Sequence, residues 1–296
     1  MAKLKLRTML GDYPHTVPIK TGKVTSDVVD LEFTEAEVPH DHFKEVVRGE
    51  FDVAELAIMT YLQAKGWNRP LVALPVAMNG RIQHAQICYN ANRGTLAPKD
   101  IEGRKVGVRT YSQTTPTWIR GILQNDYNVD LSKVNWVTFT DGHVPEFKDP
   151  SNCMRAAAGK QMADMLLAGE LDAMVAGVGD LADKGVKSLI PDPKQAADEW
   201  YKKYNLLQVN HILVVKESVA KEHPEAVRDI YRMFVEGKKL GAPALKPGEI
   251  DPRPIGYAIN KANFALAAKY AWQQRTIPRE INVDEMFDAT TRTLGA

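Results

Sequence analysis

The sequence predicts an α/β protein of two lobes, and three observations carry that reading. Short apolar or alternating runs recur with helical segments between them, the pattern of sheets with helices on their faces. The pattern runs through residue 83 and restarts at His84. A further strand and two long helices are then left at the C-terminal end, so the first lobe is expected to hold residues 1–83 and 210–296. The second lobe takes residues 84–209, with two crossings between them. A chain of 296 residues suits this division at about 150 residues per domain.

Residues 3–10 alternate with period two, the signature of a half-buried strand, and Gly11-Asp12-Tyr13-Pro14 turns the chain out of it. A second strand is expected at 28–34 and a short helix at 39–49. The apolar run from Phe51 to Ile58 passes into a helix near Tyr61, and 71–76 reads as a buried strand. After the restart, strands are expected at 84–90, 105–108, 134–139 and 171–175. Helices fall at 115–126, with Thr115 as N-cap and Pro116 at the first helical position, and at 159–169. Residues 191–203 read as a polar stretch and 141–160 as a long irregular segment, either a lid or simply a mobile loop. A strand at 211–215, an amphipathic helix opened by His223-Pro224, and a helix at 260–274 complete the chain.

Thirty-eight basic and 37 acidic residues leave a net charge of +1, which argues against a nucleic-acid binder working through bulk positive potential. Two cysteines, Cys88 and Cys153, are too few for a disulfide framework. The first ten residues alternate charged and apolar side chains, so no signal-peptide core is present, and no apolar run is long enough to span a membrane. A cytoplasmic location without a membrane partner is expected, and the sequence leaves a homo-oligomer open.

In such sheets ligands gather where strand C-terminal ends meet helix N-termini. That rule selects Asp12 and Tyr13 after the first strand, Glu55 near the end of another, and Gly177 after the 171–175 strand. It also selects Arg109, Ser112, Thr114 and Thr115, a turn whose hydroxyls and backbone N–H groups suit a carboxylate or phosphate. Glu55 stands out as a lone acid in an apolar run, where a carboxylate requires a partner or a function. His84 and His211 each head an apolar strand beside an expected crossing, a position suited to a general acid. His40-Asp41-His42 is better explained by Asp41 capping a helix than by a metal site. No phosphate-binding loop, dinucleotide fingerprint or nucleophile motif is present.

Several of these stretches carry a resemblance. Lys5-Leu-Arg-Thr-Met-Leu-Gly-Asp-Tyr13, Phe51-Asp-Val-Ala-Glu55, the block Trp118-Ile-Arg-Gly-Ile-Leu-Gln124 and Asn210-His211-Ile-Leu-Val-Val215 resemble the 4,5-dihydroxyphthalate decarboxylase family. That family is similar in fold to type II periplasmic solute-binding proteins. The resemblance implies a two-lobed clamp with a mixed sheet in each lobe, flanked by helices, and two hinge crossings. It also implies a cytoplasmic carboxy-lyase of phthalate degradation that needs no metal and no organic cofactor. The substrate would be a small aromatic dicarboxylate, converted to a hydroxybenzoate such as protocatechuate. On this reading His84 or His211 protonates the ring, while Glu55 or Asp12 polarises the phenol. Arg109 and the Ser112–Thr115 turn hold carboxylate, and Arg120 binds substrate or pairs structurally. The sequence departs from the family's expected pattern at 79–83, at Thr110 and over 141–160. The competing expectation is a non-catalytic solute-binding protein for a small carboxylate, serving a transporter or sensor.

Overall fold

Alternation at the N-terminus produces the first strand of a mixed sheet. The computed structural model describes residues 2–35 and 38–296. In chain order it begins with β1 (Leu4–Met9), α1 (Val17–Lys20), β2 (Val29–Phe33), α2 (Phe43–Val47), β3 (Val53–Ala57), α3 (Ile58–Gly66) and β4 (Leu71–Gly80). It continues with β5 (Cys88–Asn90), β6 (Lys105–Val108), α4 (Thr114–Asp126), β7 (Asn135–Thr138), β8 (Cys153–Arg155), α5 (Met162–Ala168), β9 (Ala173–Met174), β10 (Val186–Ser188) and α6 (Pro193–Tyr204). The last elements are β11 (Val209–Lys216), α7 (Glu217–Glu222), α8 (Pro224–Gly241) and α9 (Tyr257–Gln273).

The chain forms two compact units, one of residues 1–81, 209–272 and 277–296, the other of 82–208 and 273–276. Residues 273–276, grouped by sequence with the first lobe, cluster with the second unit. There Gln273 and Gln274 bond to Asn125 and Arg120 of α4.

In the first unit the sheet order is β2-β1-β3-β11-β4. β1 runs parallel to β2 and β3, whereas β11 is inserted antiparallel between β3 and β4. Leu6, Val53, Leu74 and Leu213 bury one sheet face against Val227, Ile230 and Phe234 of α8. Each such side chain contributes about 1.5–3 kcal/mol of burial. Two glycines let α8 approach the loop after β1. A Cβ on Gly237 would stand 2.4 Å from the His15 carbonyl, and one on Gly241 would collide with the Pro14 carbonyl.

In the second unit the order is β10-β5-β9-β6-β7-β8, with β6, β7, β8 and β9 parallel to their neighbours in that run and β5 antiparallel to both of its own. Val106, Val108, Ile119, Ile122 and Trp136 form its core. Four expectations are corrected here. The strand expected at 84–90 is confined to Cys88–Asn90, so His84 lies in the preceding turn. α4 begins at Thr114 with Gln113 as N-cap, two residues earlier than Thr115 as N-cap would place it. Residues 193–204, read as a polar stretch, are helical: Asp192 caps the Gln195 N–H, and the pairs Lys194–Asp198 and Gln195–Glu199 staple an otherwise solvated face. His42, not Asp41, occupies the N-cap of α2, and its ring bonds Glu45 at 2.8 Å.

Candidate active site

The Glu55 carboxylate is completely buried, and the sheet register explains what meets it there. Glu55 on β3 pairs with Leu213 on β11, two residues from His211, so Glu55 and His211 are diagonal neighbours on one face. His211 is itself opposite Asn79 on β4. β1 ends beside β3, and its following loop delivers Gly11 and Tyr13 to the same place.

Glu55 therefore accepts three hydrogen bonds. Gly11 N–H donates to Oε2 at 3.0 Å, the Tyr13 hydroxyl to Oε1 at 2.6 Å, and His211 Nδ1 to Oε1 at 2.5 Å. Asn79 Nδ2 donates to the Tyr13 oxygen at 3.2 Å and lies 3.4 Å from His211 Nδ1. Phe43 sets its edge against the imidazole, with ring centroids 5.2 Å apart. Burial alone raises a carboxylate pKa, but His211, Tyr13 and Gly11 together hold that of Glu55 below its ordinary value. Burial, then the charge of Glu55, pushes the Tyr13 phenol up, so Tyr13 stays a donor. With Nδ1 committed to Glu55, no partner among the described residues holds His211 Nε2. The group has the form of an oriented imidazole presenting one nitrogen for proton transfer.

Gly11 is required by close approach. A Cβ there would lie 2.7 Å from Pro39 Cγ, 2.9 Å from Tyr13 Cε2 and 3.1 Å from Glu55 Oε2. Asp12, one residue on, points away: its carboxylate is exposed and pairs with Lys20.

The remaining sequence candidates lie in the second unit. His84 is 2% exposed, packs edge-on to Trp200 at 6.1 Å, and has a buried Nδ1 without a partner. Burial pushes its pKa down to about 4, against a small opposing effect of Asp126. At neutral pH it is an uncharged ring and a poor proton donor. Arg109 is exposed at the end of β6, while Ser112 and Thr114 are buried at the start of α4. No side chain caps that helix, and Thr114 Oγ1 is buried without a partner. Thr115 is half-buried in the first turn. Hydroxyls and uncapped N–H groups of this kind suit an anion. Gly177 follows β9, where a Cβ would rest 3.5 Å from the Gln86 amide.

Arg120 is wholly enclosed. Its guanidinium lies 3.8 Å over the Tyr111 ring, and it donates through Nε to Gln274 at 2.8 Å and through Nη2 to the Tyr111 carbonyl at 2.6 Å. That geometry favours the structural alternative of the two the sequence left open. Asn79, His15 and Arg253 were not selected from sequence. Their places depend on pairing with β4 and on the loop after β1, which no local period signals. Among the described residues no three His, Cys, Asp or Glu side chains gather as metal ligands.

No protein-family model matches the chain. It is 27% identical to a 4,5-dihydroxyphthalate decarboxylase of Comamonas testosteroni over 252 residues, covering 81% of this chain and 76% of the relative. A protein of the same name from Pseudomonas putida is 28% identical over 217 residues, 68% of this chain and 83% of that one. The chain is a relative of 4,5-dihydroxyphthalate decarboxylases. In fold it resembles the periplasmic aliphatic sulphonate binding protein SsuA of Escherichia coli, with a TM-score of 0.62 at 14% identity over 100% of this chain and 95% of that one. The α/β fold is thus that of the periplasmic binding proteins.

Proposed function

We propose that the chain is a carboxy-lyase that decarboxylates a hydroxylated aromatic dicarboxylate of the 4,5-dihydroxyphthalate type, with His211 as proton donor. The carrying observation is the buried Glu55 carboxylate bonded to His211 Nδ1 at 2.5 Å. Direct loss of CO2 from an aryl carboxylate would leave an unstable aryl anion. A hydroxyl para to that carboxylate opens an easier route. As the hydroxyl proton passes to water, electrons move into the ring, and protonated His211 delivers its Nε2 proton to the carbon bearing the carboxylate. The resulting dienone loses CO2: the C–C bond electrons return to the ring, aromaticity is restored and the phenolate re-forms. His211 then recovers a proton from solvent. The substrate's own hydroxyl is the electron source, so the route calls for no organic cofactor.

Glu55 orients the imidazole and offsets its positive charge, while Tyr13 and Gly11 keep Glu55 ionised and in place. This gives Glu55 a role through His211 instead of through the phenol. The neutral, enclosed ring of His84 speaks against its use as the acid. In the second unit, Ser112, Thr114 and Thr115 at the α4 N-terminus supply hydroxyls and N–H groups of a kind suited to an anion.

A second reading, a binding protein for a small aromatic carboxylate, draws on the fold shared with the sulphonate-binding protein. One experiment separates them. Incubation with 4,5-dihydroxyphthalate, followed by mass spectrometry and CO2 trapping, is expected to yield 3,4-dihydroxybenzoate and CO2. His211→Asn should abolish turnover while ligand binding persists. Tight binding by the unaltered protein without any CO2 release would overturn the enzymatic reading.

A further inference from the structure

Beside β4 the chain carries a cation, Arg253, that the chemistry above leaves unused. Residues 254–256 run antiparallel along β4: Ala77 N–H donates to the Pro254 carbonyl at 3.0 Å, Gly256 N–H donates to the Pro75 carbonyl at 2.8 Å, and Val76 bridges Ile255. Extending that register puts Arg253 alongside Met78, next to Asn79, whose amide bonds Tyr13. The Arg253 backbone is fixed on both sides. Its N–H donates to Asp251 Oδ1 at 2.9 Å, and Lys238 Nζ donates to its carbonyl at 2.6 Å. Lys238 also binds Asp251 Oδ2 at 2.5 Å, so the nearby acid is fully engaged.

The guanidinium is left over. Its Nε is buried without a hydrogen-bond partner, and among the described residues no carboxylate pairs with it. A second unmatched group feels its charge. His15 is fully buried, stacks on Tyr13 at 5.5 Å, and has no partner for either ring nitrogen. The charge of Arg253 is felt at both the Tyr13 phenol and the His15 ring, which places it within electrostatic reach of the site. Buried polar atoms without partners are uncommon in folded proteins, and Arg253 Nε and the two His15 ring nitrogens are three of them.

We propose that Arg253 anchors the carboxylate that the substrate keeps, and that it makes the site selective for aromatic dicarboxylates over monocarboxylates. This inference rests on the decarboxylase reading. The departing carboxylate must leave as neutral CO2, so pairing it with a guanidinium would stabilise the ground state and oppose the reaction. The neighbouring carboxylate stays charged throughout, and a planar guanidinium fork is matched to it. His211 then addresses the reacting carbon while Arg253 fixes its neighbour.

The test compares two ligands by calorimetry. 3,4-Dihydroxybenzoate retains the anchored carboxylate, and catechol lacks it. Arg253→Met should weaken 3,4-dihydroxybenzoate about tenfold or more, leave catechol within about twofold, and raise KM for 4,5-dihydroxyphthalate more than it lowers kcat. Arg253→Lys, which keeps the charge without the fork, should recover part of the loss and serves if the methionine variant fails to fold. Unchanged binding of 3,4-dihydroxybenzoate, equal loss of both ligands, or no binding of either by the unaltered protein would each overturn the proposal. If the unaltered protein binds 3,4-dihydroxybenzoate but releases no CO2 from the phthalate, the decarboxylase reading fails. The variant comparison then still decides whether Arg253 holds a carboxylate.

Discussion

Replacing Glu55 by glutamine changes almost no volume but removes a buried charge from beneath His211. Oε1 accepts from both Tyr13 and His211, and Oε2 accepts from Gly11 N–H. A glutamine that keeps its oxygen towards Tyr13 and His211 must turn its NH2 on Gly11, donor against donor at 3.0 Å. The unsatisfied N–H costs about 1–3 kcal/mol. The two remaining bonds lose their charge assistance, which removes roughly half the strength of each. Relief of carboxylate burial offsets part of this, so the expected loss of unfolding stability is about 2–4 kcal/mol. For the chemistry, the loss is that of the group that fixes the tautomer and offsets the imidazolium, and kcat should fall about 100- to 10,000-fold. KM should change little, because Glu55 is covered and meets only protein groups. Initial rates of CO2 release give kcat and KM, and urea unfolding gives stability. Turnover within about threefold of the unaltered enzyme would refute the idea that Glu55 and His211 act as a unit.

Gly11→Ala should lose about 1–3 kcal/mol and most activity, because the new methyl displaces Tyr13 or Pro39; thermal melting and rate measurements check both. His15 and His84 each titrate near 4 in the folded state against an ordinary 6.5, burial being the main cause. The unfolded chain therefore holds more protons between these values, and stability should fall as pH drops from 6.5 to about 4, by about 3 kcal/mol per histidine. Unfolding at several pH values, repeated with His84→Gln, should show a shallower slope in the variant; an equal slope removes His84 as the cause. Arg120→Ala should destabilise by about 3–5 kcal/mol, leaving Gln274 and the Tyr111 carbonyl unpaired beside a cavity. A change confined to KM would instead make Arg120 a substrate contact. Thr114→Val removes a hydroxyl that has no internal partner, so stability in urea unfolding should hold; a loss of more than about 1 kcal/mol would show that the hydroxyl is bonded after all.

The lone acid inside an apolar run was legible because a buried carboxylate demands partners, and Glu55 has three. The alternation of strands and helices, and the return of the C-terminal region to the first sheet, were legible for a similar reason: apolar faces must be covered. The choice between the two histidines was not. His84 and His211 head similar apolar runs, and only the pairing of Glu55 with Leu213 makes one of them a diagonal neighbour of the acid. Register of this kind is set by long-range pairing and leaves no local mark. Arg120 was ambiguous because its decisive partner, Gln274, is 154 residues distant. α6 was missed because its apolar stripe is thin: Ala196, Trp200 and Tyr204 fall at helical spacing, but only Trp200 is fully buried.

The insertion of β11 between β3 and β4 has a consequence for biosynthesis. β3 and β4 are consecutive strands of the nascent chain, yet they never pair with each other, and each waits with an open backbone edge for a strand made much later. At translation rates of about 5–20 residues per second, the interval between them is on the order of ten seconds. Throughout it the half-made sheet offers its edges to other chains, so a ribosome stalled in the second unit would release an adhesive product. The strand that closes the gap is also the one that bears His211. Completion of the sheet and the meeting of His211 with Glu55 are therefore a single event.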